Sequence, residues 1–159
     1  MKMLIFTEGT VLKPANEDKT HDYVNYQPAG QAAAKVTAWS EQGAEISYLT
    51  SRIKFLEIKQ IKDVLAKFNF PAADKVHARA GTESYLDIVA RSRPDVLVED
   101  DCQSIGEQDV VTPKLNPEWG IHGIVVPEFG GIDHLPDNLE ELKEYGKTEK
   151  TDEAKEDEV

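Results

Sequence analysis

The sequence predicts an α/β fold, with a mostly parallel sheet covered on both faces by helices. Three observations point to it. The apolar runs Met3-Leu4-Ile5-Phe6, Ile46-Ser47-Tyr48-Leu49 and Val96-Leu97-Val98 each stop at a polar cluster. Between them lie segments whose apolar residues recur at helical spacing. Proline and glycine punctuate the joins. Strands alternating with helices indicate βαβ crossovers, and parallel strand ends gather on one edge, where such proteins place their chemistry.

The first strand ends at Gly9-Thr10. Residues 11–27 read as irregular, with Pro14, Asn16, Asp18 and Asn25 breaking any period. Pro28 suits the first turn of a helix. That helix would bury Ala32, Ala33, Val36 and Trp39 and close at Gly43. A second strand is expected over Glu45–Leu49. A longer helix follows over Lys54–Phe68, with Phe55, Ile58, Ile61, Leu65 and Phe68 at three-four spacing and Pro71 beyond its end. Lys75–Arg79 is a strand candidate. Thr82–Arg91 reads as a short helix with Tyr85, Leu86 and Val89 inward. Asp95–Val98 is the third main strand, and Ile121–Val126 a further one. Residues 1–135 make the α/β domain, and Pro136–Tyr145 could form one amphipathic helix stopped by Gly146. Residues 147–159 carry six acids and three lysines with almost nothing apolar, which predicts a disordered tail.

The chain has 159 residues, enough for one domain with its own core. No apolar stretch is long enough to span a bilayer, and the first run is too short for a signal peptide's apolar region. A single cysteine, Cys102, excludes an internal disulfide framework and agrees with a cytoplasmic location. The net charge of −12 would repel a phosphate backbone, which argues against a nucleic-acid surface. His21, His77, His122 and His134 show no zinc-ligand spacing.

The three polar clusters are Thr7-Glu8-Gly9-Thr10, Thr50-Ser51-Arg52 and Glu99-Asp100-Asp101. Their spacing resembles the haloacid dehalogenase-like (HAD) superfamily, which consists mostly of phosphohydrolases and opens with an Asp-x-Asp-Gly-Thr signature. The same register here reads Phe6-Thr7-Glu8-Gly9-Thr10. The resemblance spans roughly Met3 to Ile105 and implies a three-layer Rossmannoid core without a substantial cap domain. It gives Glu8 the acid/base position, Thr50 a phosphate-binding hydroxyl, and Glu99 and Asp100 the acidic pair that would hold Mg²⁺. Asp100 and Glu8 are thus the catalytic candidates. Thr10, Thr50, Ser51 and Arg52 are the phosphate or anion binders.

Two departures from the family pattern stand out. Phe6 occupies the place of the nucleophilic aspartate and has no atom that could attack phosphorus. The family's basic residue ahead of the acidic pair falls at Leu86, although Arg79 could approach from the preceding loop. Strand alternation puts Phe6 and Glu8 on the site side and turns Thr7 away. Phe6 would then fill the hollow of an abandoned active site. The Gly130-Gly131-Ile132-Asp133-His134 stretch reads as a turn with no motivated role.

Three readings stay open at this point. The first is a degenerate HAD-like protein without covalent phosphatase activity, retaining a pocket for a small phosphorylated or anionic ligand. The second is a Mg²⁺-dependent phosphohydrolase in which Glu8 activates water. The third is a protein-interaction module that works through its acidic tail.

Overall fold

The computed structural model describes residues 1–101 and 110–147. Strand β1 (Lys2–Phe6) leads into a small antiparallel hairpin, β2 (Leu12–Lys13) with β3 (Gln27–Pro28), split by a single 3₁₀ turn at Tyr23–Asn25. There follow α1 (Ala32–Glu41), β4 (Glu45–Leu49), α2 (Phe55–Lys67), β5 (Val76–His77), α3 (Tyr85–Ser92), β6 (Val96–Asp100), β7 (His122–Val126) and α4 (Leu139–Glu144). The hairpin is the whole of the insert between β1 and α1, so no substantial cap interrupts the domain there.

Five strands form one sheet in the order β5-β4-β1-β6-β7, and every pairing is parallel. Ile5 lies opposite Tyr48 on one side and Val98 on the other. Near-continuous apolar character in β1 and β6 reflects burial on both faces. Met3, Ile5, Tyr48, Val96 and Val98 join one core with Val36 and Trp39 of α1, Ile61 and Leu65 of α2, and Leu142 of α4. Leu4, Phe6, Leu49 and Leu97 join the other with Tyr85, Ile88 and Val89 of α3. The molecule is therefore a three-layer, Rossmann-like α/β fold. Successive right-handed crossovers toward β5 place α1 and α2 on the same face, and the return to β6 places α3 on the opposite one. The chain order reverses direction between β1 and β6, and that switch point sits beside the Glu8 and Asp100 clusters.

Several expectations change. Pro28 does not open a helix; it pairs with Leu12 in the hairpin, and α1 begins four residues later. Proline's fixed φ suits an edge strand as well as a first helical turn. Phe55 does not face the core but is 84% exposed, and Leu56 and Ile53 are each 63% exposed. The first turn of α2 stands clear of the core, and the buried stripe runs through Ile61, Val64 and Leu65. The third main strand continues through Glu99 and Asp100. The C-terminal helix is shorter than expected. It belongs to the main core, where the Trp39 indole N–H donates to the Pro136 carbonyl at 2.9 Å.

Asp133 caps α1 from outside, accepting the Gln31 N–H at 2.9 Å on one carboxylate oxygen and at 3.1 Å on the other. Among the described residues no helix is long and apolar enough to cross a membrane. Cys102 and the acidic tail beyond Lys147 lie outside the described residues.

Candidate functional site at the sheet's carboxyl edge

Past Phe6 the backbone leaves the strand and closes one helical turn. The Thr7 carbonyl accepts the N–H groups of Thr10, Val11 and Leu12 at 3.2, 3.1 and 3.0 Å. Gly9 makes this turn with φ +90°, a conformation that L side chains rarely adopt. It also lies against Asp100: a β-carbon on Gly9 would stand 2.6 Å from the Asp100 Oδ2. Thr10 Oγ1 donates to Asp100 Oδ1 at 2.7 Å, so the turn is strapped to the end of β6. The Phe129 N–H, from the loop after β7, donates to the Gly9 carbonyl at 2.8 Å.

Glu8 is buried and fully engaged. Its Oε2 accepts Thr7 Oγ1 at 2.6 Å and the Ser51 N–H at 3.1 Å, and its Oε1 accepts a short bond from the Thr50 hydroxyl. Thr50 Oγ1 in turn accepts the Arg52 N–H at 3.2 Å. Thr7 therefore does not turn away from Glu8, because strand alternation has already ended at Phe6. A buried carboxylate needs such donors to offset its lost hydration. The sequence-predicted Glu8, Thr50 and Ser51 come together as one network, and Thr10 with Asp100 as a second.

Phe6 is 5% exposed and meets the Tyr85 ring edge-on, with centroids 5.0 Å apart and planes at 72°. The Arg79 guanidinium lies 4.6 Å above the same Tyr85 ring and donates from Nη2 to the Ser51 carbonyl at 3.1 Å. Arg79 thus supplies a cation on the Ser51 side, while Leu86 is half-buried against the α3 core. Arg52 reaches Ser51 from the other direction, its Nε donating to Ser51 Oγ at 3.2 Å. Its guanidinium stacks 4.9 Å over Tyr23 and lies 3.9 Å from Glu57. Burial pushes the Tyr23 phenol up to about 12; Arg52 opposes that rise, and Glu57 and Glu8 add to it. Tyr26 is raised as well, by burial first and then by Glu8. No spacing in the sequence pointed to either tyrosine, because both sit in the stretch that reads as irregular.

Glu99 and Asp100 do not form a pair. They are consecutive strand residues and face opposite sides of the sheet. Asp100 meets Thr10, whereas Glu99 accepts the Val111 N–H at 2.9 Å, the Thr112 N–H at 2.6 Å and Thr112 Oγ1 at 2.5 Å. Burial raises the Glu99 carboxyl above the usual range, and the three Val111 and Thr112 donors pull it back down. Mg²⁺ needs hard oxygens converging in near-octahedral geometry. Among the described residues no three His, Cys, Asp or Glu side chains come together in that way. Among the described residues, Phe6 offers no oxygen, Glu99 is directed to Val111 and Thr112, and Glu8 is engaged by Thr7, Thr50 and Ser51, so these side chains do not converge as one set of hard oxygens.

What the edge offers instead is a serine flanked by two guanidinium groups, with a locked carboxylate behind it. Comparison with known proteins brings no match: no family model, no curated protein and no solved structure aligns with the chain.

Proposed function

We propose that this protein is a degenerate HAD-like chain that binds a small phosphorylated or otherwise anionic ligand beside Ser51 and performs no covalent phosphoryl transfer. One observation carries the reading. At the place where the family's signature would put a nucleophile, Phe6 packs against Tyr85, and Arg79 and Arg52 both converge on the neighbouring Ser51. Guanidinium groups recognise phosphate and carboxylate through forked hydrogen bonds, and two of them at one residue favour an anion. The same position offers no atom that could form a phospho-enzyme. The placement of the switch point beside these residues agrees with ligand binding at that edge.

The test has two arms. Incubation with a generic phosphate ester and Mg²⁺ should give no turnover above background; turnover abolished by Asp100→Ala would reject the reading. Inorganic phosphate should shift the backbone amides of Ser51 and Arg52, and Arg52→Ala or Arg79→Ala should weaken that response severalfold. Amides that stay unmoved by phosphate would remove the ligand-binding half.

A further inference from the structure

The hairpin and the loop after β7 border an open surface cavity of about 670 Å³, lined by Lys13, Asn16, Glu17, Thr20, Gln27 and Phe129 among others. That volume falls within the roughly 300–1,000 Å³ of small-molecule sites. The walls come from two connections, one following β1 and one following β7. The Phe129 N–H is bonded to the Gly9 carbonyl, so the cavity opens beside the switch point of the sheet. None of its lining residues belongs to the Ser51 cluster.

The lining is chemically mixed in an informative way. Phe129 is half-buried, packs against the main core, and supplies an aromatic wall. It holds φ +64°, an unusual conformation for a bulky residue, kept by the bond to Gly9 and followed by Gly130-Gly131. Asn16 and Gln27 are exposed and place carboxamides at the rim, each with donors and an acceptor. Thr20 adds a hydroxyl. Lys13 and Glu17 contribute one charge of each sign.

We infer that this cavity is a binding site for a flat, uncharged heterocycle with a hydrogen-bonding edge, of the nucleobase type. The ring face stacks on Phe129, an interaction available to every base. The ring edge meets the Asn16 and Gln27 carboxamides, whose paired donors and acceptor match such edges. The site is separate from the anion site at Ser51 and stands or falls without it.

The experiment titrates the full chain with adenosine, guanosine, cytidine and uridine, read by the backbone amide shifts of Lys13, Asn16, Thr20 and Phe129. At least one nucleoside should shift this set together at millimolar concentration. Phe129→Gly removes the ring and suits the positive φ, so the loop is retained; it should weaken binding by about fivefold or more. Gln27→Ala alters only an exposed side chain and should weaken binding by severalfold, which provides a second variant if the loop rearranges. Inorganic phosphate serves as the control and should leave the cavity amides still, whatever it does at Ser51 and Arg52. Four nucleosides without effect, or binding unchanged in both variants, would overturn the inference.

Discussion

Gly9→Ala is the sharpest probe of how the carboxyl edge is built. Two costs arise. An L residue at φ +90° loses about 1–2 kcal/mol relative to glycine. The new β-carbon would also stand 2.6 Å from Asp100 Oδ2 and 2.8 Å from its Cγ, so the carboxylate must move. Moving it breaks the 2.7 Å bond from Thr10 Oγ1. A hydrogen bond to a charged group is worth about 1.5–3 kcal/mol. Together these give about 3–4 kcal/mol of lost stability, measured by urea unfolding followed by circular dichroism. The mechanism is tested by repeating the substitution in Asp100→Ala. There the clash and the bond are both gone, and Gly9→Ala should cost only its backbone share, about 1–2 kcal/mol. The double-mutant cycle should therefore show a coupling of about 2 kcal/mol, within the range for touching residues. Equal costs in the two backgrounds, within about 0.5 kcal/mol, would refute the packing of Gly9 on Asp100.

The buried Glu99, the Asp133 cap and the exposed Phe55 each have a measurable consequence. Glu99 has a folded-state pKa raised by burial, so the native state holds a proton that the unfolded chain has released; stability should fall as pH rises from about 4.5 through the folded value. Glu99→Gln should flatten that dependence in a series of urea midpoints, and an unaltered pH profile would count against the assignment. Asp133→Ala removes the cap on α1 and should cost about 1 kcal/mol, read as a lower thermal midpoint; no change would mean that the Gln31 N–H finds water equally well. Phe55→Ser should leave unfolding within about 0.5 kcal/mol of the parent, because its side chain is 84% exposed, and should reduce binding of a hydrophobic dye. A large loss of stability would show that α2 packs differently.

The architecture was legible because each strand declares itself over a few apolar residues between breakers. Glu45–Leu49 matches its expected span, and α2 differs by one residue at each end. The finer errors share a cause: local patterns do not say where a pattern stops. β6 runs two residues further than its apolar run, and this extension puts Glu99 and Asp100 on opposite faces. β1 stops where alternation was extrapolated, so Thr7 joins Glu8 instead of facing away. Phe55 keeps the helical spacing yet lies beyond the core that the spacing implies. Asp133 acts across the fold on Gln31, a pairing of a range that leaves no trace in a single chain read residue by residue, and Arg79, expected only as a cation approaching from its loop, reaches the Ser51 carbonyl. The apolar character of Phe6 and its place at the strand end were both visible in advance; its contact with Tyr85 was not.

The loop that follows β7 clasps parts of the chain made long before it. Phe129 holds Gly9, Glu128 donates to Asp101, and Asp133 ties down Gln31. A nascent polypeptide halted before residue 127 would carry its opening turn and its first helix without these fasteners. The geometry of the carboxyl edge is thus an end product of synthesis, assembled by non-local contacts that form late and slowly. Trimming from the carboxyl side past this clasp would disturb residues near the amino terminus first.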